Sequence, residues 1–365
     1  MTFDKINPTP RVTTHNTPLH LHSKKGDFIG CGVKNIQTNI PLAPYTTFKI
    51  GGPAKYFYCA KNIKDLIKII KIARRKKIPF FILGCGSNIL ISDEGFNGLV
   101  IKNLILGVRV VRSLKQNINF KQVVDAHYFP AHPNQYLQFS DLDYQTEPFD
   151  TEVEVSAGMP LQSFIQWIFQ NKLTGLQWFA GIPGSIGGAI ICNIHGGSKL
   201  FADYISEIIV LDKNNRIKKI KKNDIKFDYD FSSLKKEKLI ILKARIFLSH
   251  GDIKRAKFVY QEWFKRKIKI QPQTNCPGSI FKNFFLKTAK KINAPTSSAG
   301  YFIDQCGLKG KKIGKAIVSK NHANFIINTG QATAKDVIIL ISLIKQKVRD
   351  KFNIQLQEEI QYIGF

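Results

Sequence analysis

The sequence predicts an α+β chain with two domains behind an N-terminal extension, and three observations carry that expectation. A helix–strand–loop–strand unit opens the ordered pattern over residues 62–91. Strand-like runs alternate with charged turns over 206–248. Near His250-Gly251 the character changes to helical spacing, which recurs before the C-terminus. At 365 residues the chain has room for two or three separately cored domains. With 44% hydrophobic and 22% charged residues it belongs with globular proteins rather than disordered ones.

The elements follow in order. Residues 1–34 are polar, rich in Thr, His and Pro, and weakly periodic, so they read as an extension. Asn62 is placed to cap an amphipathic helix running to Arg75, with Leu66, Ile69, Ile70 and Ala73 on one face. Pro79 to Gly84 reads as a short buried strand, Gly84 to Asn88 as a turn and Ile89 to Ile91 as a second strand. Residues 109–150 are irregular, with polar clusters around Pro130, Pro133 and Pro148, and are expected to be a surface insertion. Glu152 to Ser156 alternates as a strand does; Leu161 to Asn171 has helical spacing through Leu161, Phe164, Ile165, Ile168 and Phe169.

Strands are expected at Glu207 to Asp212 and Leu239 to Leu248, then a helix from Ile253 to Lys267. Thr333 opens a long helix to about Arg349 with Val337, Leu340, Ile341, Ile344 and Val348 inward. Thr333 and Asp336 stand at capping-box spacing, Asp replacing the usual Glu or Gln. There is no internal repeat. The expected division is an extension over 1–34, a first domain over 35–249 in two parts (about 35–105 and 106–249), and a second over 250–365.

Several function classes are set aside by composition. No apolar run approaches the ~20 residues of a membrane span; the longest, Val337 to Ile344, already contains Ser342. The N-terminus lacks the apolar core of a signal peptide, so a cytoplasmic protein is expected. Six dispersed cysteines without a CxxC pair argue against a zinc site and a disulfide framework. The net charge of +29 invites a nucleic-acid reading, but its excess is almost all Lys, with only ten Arg, and is spread along the chain. The stacking signatures of RNA-binding modules are also absent. The charge is therefore read as a compositional habit that also attracts anionic ligands, with neither nucleic acid nor membrane as a partner and a monomer expected.

The most informative stretch is Phe179-Ala-Gly-Ile-Pro-Gly-Ser-Ile-Gly-Gly-Ala189. Glycine removes the side chain that would keep a ligand off the main chain, so such a loop suggests backbone pressed against a flat or anionic ligand; a tight internal turn would use the same residues. The turn Gly84-Cys-Gly-Ser-Asn88 between two strands can present successive N–H groups in a nest suited to a diphosphate. It is not GxGxxG and lacks the acidic ribose ligand at the right distance, which disfavours a nicotinamide-binding Rossmann unit. Pro277-Gly-Ser-Ile-Phe-Lys-Asn283 sets Ser279 on a glycine turn with Lys282 and Asn283 close by, although Ser279 could simply end an element. In Leu356-Gln-Glu-Glu-Ile360 an extended backbone points the two carboxylates to opposite faces. The inward one, Glu358 or Glu359, needs a partner or a proton and is a functional candidate.

Taken together and in this order, these segments resemble the UDP-N-acetylenolpyruvoylglucosamine reductase family, from about Asn35 to Phe365. Also in the resemblance are Tyr45-Thr-Thr-Phe-Lys-Ile-Gly-Gly-Pro-Ala54, Ala299-Gly-Tyr-Phe-Ile-Asp-Gln-Cys-Gly-Leu-Lys-Gly310 and His322-Ala-Asn-Phe-Ile-Ile-Asn328. It implies an α+β fold with a two-subdomain FAD-binding region of the vanillyl-alcohol-oxidase (PCMH) type, followed by an α/β substrate-binding C-terminal domain. It implies FAD and NADPH as cofactors and a UDP-sugar as the small-molecule substrate, whose enolpyruvyl ether is reduced. FAD would be held by Gly84, Cys85, Gly86, Ser87, Asn88 and Ile89, and by Gly181, Ile182, Pro183, Gly184, Ser185, Gly187 and Ala189. Ser279 would be the proton donor, Glu359 and an arginine would meet charge on the substrate carboxylate, and Lys282, Asn283 and Gln305 would bind substrate.

The chain departs from the family pattern at named positions. The family's Phe-x-Tyr-Arg-x-Ser is Phe227-Asp-Tyr-Asp-Phe-Ser232 here, with Asp230 in place of arginine. Its Asn-x-Gly-Ala-Tyr-Gly is Asn193-Ile-His-Gly-Gly-Ser198, and its Gly-x-Glu is Gly175-Leu-Gln177. The carboxylate at 230 keeps two other readings open: a flavin oxidoreductase of this fold acting on another substrate, or a flavin-binding protein without this activity. In the first of these His195 would be a new active-site residue, against the plainer reading of a loop histidine.

Overall fold

The computed structural model describes residues 35–118, 142, 144, 147–237, 239–273, 275–284, 289 and 291–365. The expected N-terminal extension over 1–34 lies outside these residues. The first unit is built on β1 (Gln37–Pro41), β2 (Pro53–Ala60), helix α1 (Ile63–Arg75), β3 (Phe80–Leu83), β4 (Ile89–Ile91) and β5 (Phe96–Asn103). The sheet order is β1-β2-β5-β3, with β2, β5 and β3 parallel and β1 antiparallel at one edge. Helix α1 is the crossover from β2 to β3, and the apolar face read from the sequence is the one it buries: Leu66, Ile69, Ile70 and Ala73 are fully enclosed against Tyr56, Leu99 and Ile101. Each large aliphatic side chain buried there contributes roughly 1.5–3 kcal/mol. Asn62 caps the helix by accepting from the Asp65 amide at 2.9 Å, and Arg74 and Arg75 complement the dipole in its last turn.

The second unit continues through β6 (Val108–Ile118), β7 (Phe149–Ser156), α2 (Leu161–Gln170), β8 (Leu173–Thr174), α3 (Ile186–Cys192), β9 (His195–Gly196) and β10 (Lys199–Leu200). Next come β11 (Ile205–Leu211), β12 (Ile217–Lys221), β13 (Phe227–Asp228), β14 (Phe231–Ser232), β15 (Ile240–His250) and α4 (Ile253–Ile270). Its main sheet is antiparallel in the order β12-β11-β15-β7-β6, with β8 paired to the end of β15. The expected irregular insertion over 109–150 is corrected at both ends. Residues 108–118 form β6, an edge strand on β7, and Phe149–Ser156 form β7 itself. Register shifts in the β6–β7 pair break the two-residue alternation, and Arg109 and Arg112 use their side chains to pair with Glu154 and Glu152 at 3.1 and 3.0 Å, so no apolar pattern marked the strand. The stretch 119–141 lies outside the described residues.

The third unit comprises α5 (Ala299–Gln305), β16 (Lys312–Ile313), β17 (Ala316–Val318), β18 (Ile326–Asn328), α6 (Ala334–Phe352) and β19 (Gln361–Ile363). Thr333 and Asp336 form the reciprocal capping box at the start of α6, and Asp93 of the first unit accepts from the Ala334 and Lys335 amides at 2.8 and 3.1 Å. The helix ends one turn later than expected, at Phe352, where Asn353 adopts the left-handed conformation that stops it. Val337, Leu340, Ile341, Ile344 and Val348 pack with Phe302, Phe281 and Ile326, and also with Phe48 and Leu90 of the first unit. The chain then returns, and β19 pairs in parallel with β4. Helix α4 buries Ala256, Val259 and Trp263 in the core of the second unit, so by packing it goes with the residues before it rather than with those after 270. The sequence boundary at 250 had followed a change of periodicity, which does not reveal which core a helix faces.

Candidate functional site

The two glycine loops, far apart in sequence, meet along one wall of a cavity of about 1500 Å³ that runs between the three units. The first is the turn from β3 into β4. Gly86 has φ +68°, and a Cβ there would stand 2.4 Å from the Tyr45 carbonyl oxygen. The Gly86 carbonyl accepts from the Thr47 amide at 3.0 Å, and the Gly84 carbonyl accepts from Lys102. Those bonds turn the carbonyls inward. Among the described residues, the amides of Cys85, Gly86, Ser87 and Asn88 donate to no protein acceptor, and all four residues line the cavity. Such a run of unused donors is what an oxyanion requires.

The second loop leads into α3. A Cβ on Gly84 would meet Ser185 Oγ at 2.4 Å, and Ser87 Oγ donates to the Pro183 carbonyl at 2.9 Å, so the loops lock onto each other. Ser185 caps α3 by accepting from the Gly188 amide, and Gly187 lies against Ala157. Gln162 holds the outer part of the loop, donating to the Phe179 and Ile182 carbonyls and accepting from the Gly181 amide. Every residue expected to hold FAD borders this cavity: Gly84 to Ile89, Gly181 to Ser185, Gly187 and Ala189. A large cavity with mainly apolar walls, bordered by both glycine loops and by four amides without protein acceptors, fits a dinucleotide cofactor with a diphosphate.

Ser279 and Glu359 face the same cavity from the third unit. The main chain brings them together: Phe281 and Glu358 form an antiparallel bridge, the Glu359 amide donates to the Ile280 carbonyl at 2.8 Å, and the Lys282 amide donates to the Gln357 carbonyl at 2.9 Å. Buried Asn324 clamps the Ser279 segment by accepting from the Phe281 amide at 2.9 Å and donating to its carbonyl at 2.8 Å. The alternative between the two glutamates is thereby decided. Glu358 pairs with Lys345 at 2.9 Å, whereas Glu359 lines the cavity. Burial, and next the charge of Asp230, push the Glu359 carboxyl well above its ordinary range, with Lys282 opposing.

Asn283 also lines the cavity; its amide donates to Tyr229 Oη at 3.3 Å and its oxygen accepts from the Ala299 amide. Lys282 reaches the edge of this group, donating from Nζ to the Asp230 carbonyl at 3.3 Å. Gln305 is not among the cavity-lining residues. It is exposed at the end of α5, with its carbonyl turned to Lys351. The motif that suggested it lies on a helix whose inner face, through Phe302 and Ile303, is committed to the core.

Some cavity residues escaped the sequence reading. Lys267 of α4 donates to the Ala180 carbonyl at 2.7 Å, and burial brings its amine down to about 7. His322 accepts from the Asn324 amide at 3.2 Å and is held down to about 4, chiefly by burial. No local spacing marks Lys267 among so many lysines, whereas His322 opens the His322-Ala-Asn-Phe-Ile-Ile-Asn328 motif. Among the described residues no cluster of His, Cys, Asp and Glu could hold a metal, and the five described cysteines are free thiols.

Residues 271–363 match the family model described as the C-terminal domain of UDP-N-acetylenolpyruvoylglucosamine reductase. The chain is 34% identical over 331 residues to the protein of that name from Prochlorococcus marinus, covering 90% of this chain and 98% of that one. It is 33% identical over 327 residues to that of Caldanaerobacter subterraneus, covering 89% and 93%. The crystal structure of the Thermus caldophilus enzyme superimposes with a TM-score of 0.65 at 25% identity, covering 90% of this chain and 99% of that one.

Proposed function

The chain belongs to the UDP-N-acetylenolpyruvoylglucosamine reductase family, and from that premise we propose that Ser279 and Glu359 carry the proton chemistry of its reaction. The protein is an NADPH-dependent flavoenzyme that reduces UDP-N-acetylglucosamine enolpyruvate to UDP-N-acetylmuramate in peptidoglycan precursor synthesis. Its fold is a two-subdomain FAD-binding region of the vanillyl-alcohol-oxidase type followed by a substrate-binding C-terminal domain. The alternative of an unrelated substrate, raised by Asp230, is not favoured by relatives matched over nine-tenths of the chain. The observation that supports the assignment of roles is the bridge between Phe281 and Glu358, which sets Ser279 beside Glu359 on the cavity that both glycine loops border.

FAD, when bound, supplies the redox chemistry by passing hydride from NADPH to the enolpyruvyl carbon. The chain's residues do the rest. The amides of residues 85–88 would hold the cofactor's diphosphate, and the 181–189 loop would supply the facing part of the same wall. Ser279 gives a proton to the carbanionic centre left on the substrate. An alcohol is a weak acid, so this role depends on position, set here by the Asn324 clamp on the neighbouring residues. Burial, and next the charge of Asp230, disfavour the Glu359 anion and raise its carboxyl well above the ordinary range. That direction favours the neutral carboxyl, the form that can donate to the substrate carboxylate rather than repel it. Lys282 and Asn283 orient the substrate. We also assign the chain to the cytoplasm, as a monomer acting on small molecules rather than on nucleic acid or membrane; among the described residues no helix is long and apolar enough to cross a bilayer.

The test is anaerobic. NADPH is added to the purified flavoprotein, then UDP-N-acetylglucosamine enolpyruvate, and the visible spectrum is followed. Rapid return of the oxidised flavin spectrum is expected on adding the UDP-sugar. A flavin that reduces and stays reduced would overturn the substrate assignment.

A further inference from the structure

Strand β5 carries an apolar run, Gly98-Leu-Val-Ile101, that ends in a charge, Lys102. Alternation along the strand sends Leu99 and Ile101 to the core under α1, and Val100 to the opposite face with Leu83, Ile89 and Ile91. Lys102 falls on the face of Val100. It is in register with Leu83, the last residue of β3, so it stands where the chain leaves that strand for the glycine turn. From there its Nζ donates to the Gly84 carbonyl.

The Gly84 carbonyl and the Cys85 amide belong to one trans peptide, whose C=O and N–H point in opposite directions. Holding the carbonyl toward Lys102 therefore aims the Cys85 N–H away from it. Cys85 lines the cavity and Lys102 does not. The Thr47 amide acts in the same way on the Gly86–Ser87 peptide, donating to the Gly86 carbonyl at 3.0 Å and turning the Ser87 N–H the other way. The two supports differ in charge. The Thr47 amide is neutral, whereas Lys102 brings a cation, which polarises the Gly84–Cys85 peptide and makes its N–H a stronger donor.

Lys102 is half-buried, and among the described residues no carboxylate pairs with it. Burial pushes its amine below the ordinary value; the thiols of Cys85 and Cys59 oppose this, and Lys49 adds to it. A cation drawn out of water with no counter-ion, standing behind a row of unused donors, fits an anion in front of them.

We propose that Lys102 is the charge that makes the 84–88 turn select a diphosphate, acting through the Gly84–Cys85 peptide as a positioning residue rather than by touching the cofactor. The inference rests on the flavin reading given above. Because the cation serves the diphosphate alone, its effect depends on whether the ligand has one.

The test uses the full-length apoprotein and two flavins: FAD, which carries a diphosphate, and riboflavin, which does not. Equilibrium titration gives both affinities for the wild type, Lys102→Met and Lys102→Gln. The methionine removes charge and donor together, whereas the glutamine keeps a donor without the charge. Both variants should lower FAD affinity about tenfold, the scale of one hydrogen bond to a charged group, and leave riboflavin affinity within about twofold. Lys102→Gln decides the matter if Lys102→Met does not fold. A wild-type ratio of FAD to riboflavin affinity in Lys102→Gln would overturn the inference. So would an equal loss for both flavins, the mark of a side chain that only props the turn. A wild type that bound neither flavin would overturn the flavoenzyme reading and this inference with it.

Discussion

Gly86→Ala tests whether the 84–88 turn is a cofactor cradle. At φ +68° an alanine pays about 1 kcal/mol for the left-handed conformation. Its Cβ would fall 2.4 Å from the Tyr45 carbonyl oxygen, where real contacts stay beyond 3.0 Å, so one of two backbone segments must give way. Overpacking of that kind costs roughly 1–3 kcal/mol. The total, roughly 2–4 kcal/mol, has two routes of expression. If the turn stays put, the apoprotein loses that stability. If the turn moves, the amides of residues 85–88 leave their places and FAD affinity falls, at the limit by roughly 30- to 700-fold. Equilibrium flavin titration and thermal melting of the apoprotein, run together, measure the two shares. Gly307→Ala is the companion: φ is +69° but nothing lies within 4 Å of the added Cβ, so only the conformational cost of about 1 kcal/mol remains. Gly86→Ala matching Gly307→Ala in both stability and flavin affinity would refute the reasoning.

Three further outcomes bear on the site. Ser279→Ala should leave flavin reduction by NADPH within about twofold and slow the UDP-sugar-dependent reoxidation by roughly 10²–10⁴, the range of a lost acid catalyst; rapid mixing separates the two half-reactions, and equal loss in both would sink the proton-donor role. Glu359 has a raised value in the fold, so its stabilising proton is fully held below its ordinary 4.5 and is lost as pH rises through the folded value. Glu359→Gln should therefore gain on the wild type as pH rises, and parallel urea-denaturation curves at pH 5 and pH 9 would contradict this. Lys267 is lowered from 10.5 to about 7, so the unfolded chain binds the extra proton between those values and wild-type stability should climb with pH across that window. Lys267→Met should lack the climb; an unchanged slope would place the amine in water.

Much of this protein was legible from its sequence because the signals are local. Asn62, Thr333 and Asp336 cap the helices they were expected to cap, since a capping bond spans only three residues. The apolar stripes of α1, α2 and α6 face inward because a helix with one apolar side has one way to bury it. The glycines of both loops announced themselves through the φ angles and close approaches that only glycine accepts. The ordered set of motifs carried the family, and with it the cofactor and the reaction.

Tertiary structure decided whatever depends on partners distant in the chain. Glu358 and Glu359 are equivalent in sequence, and only the bridge to Phe281 sends one to Lys345 and the other into the cavity. Strand β6 was hidden because its arginines answer glutamates on β7 some forty residues away. Lys267 is one lysine among many until burial against the Ala180 carbonyl singles it out. Asp230 reads as the loss of a cation when viewed alone; only the fold, in which Asn193 bonds the Asp228 carbonyl and the Ala202 amide, shows that His195 Nδ1 stands 3.6 Å from its carboxylate, because the two lie on separate hairpins.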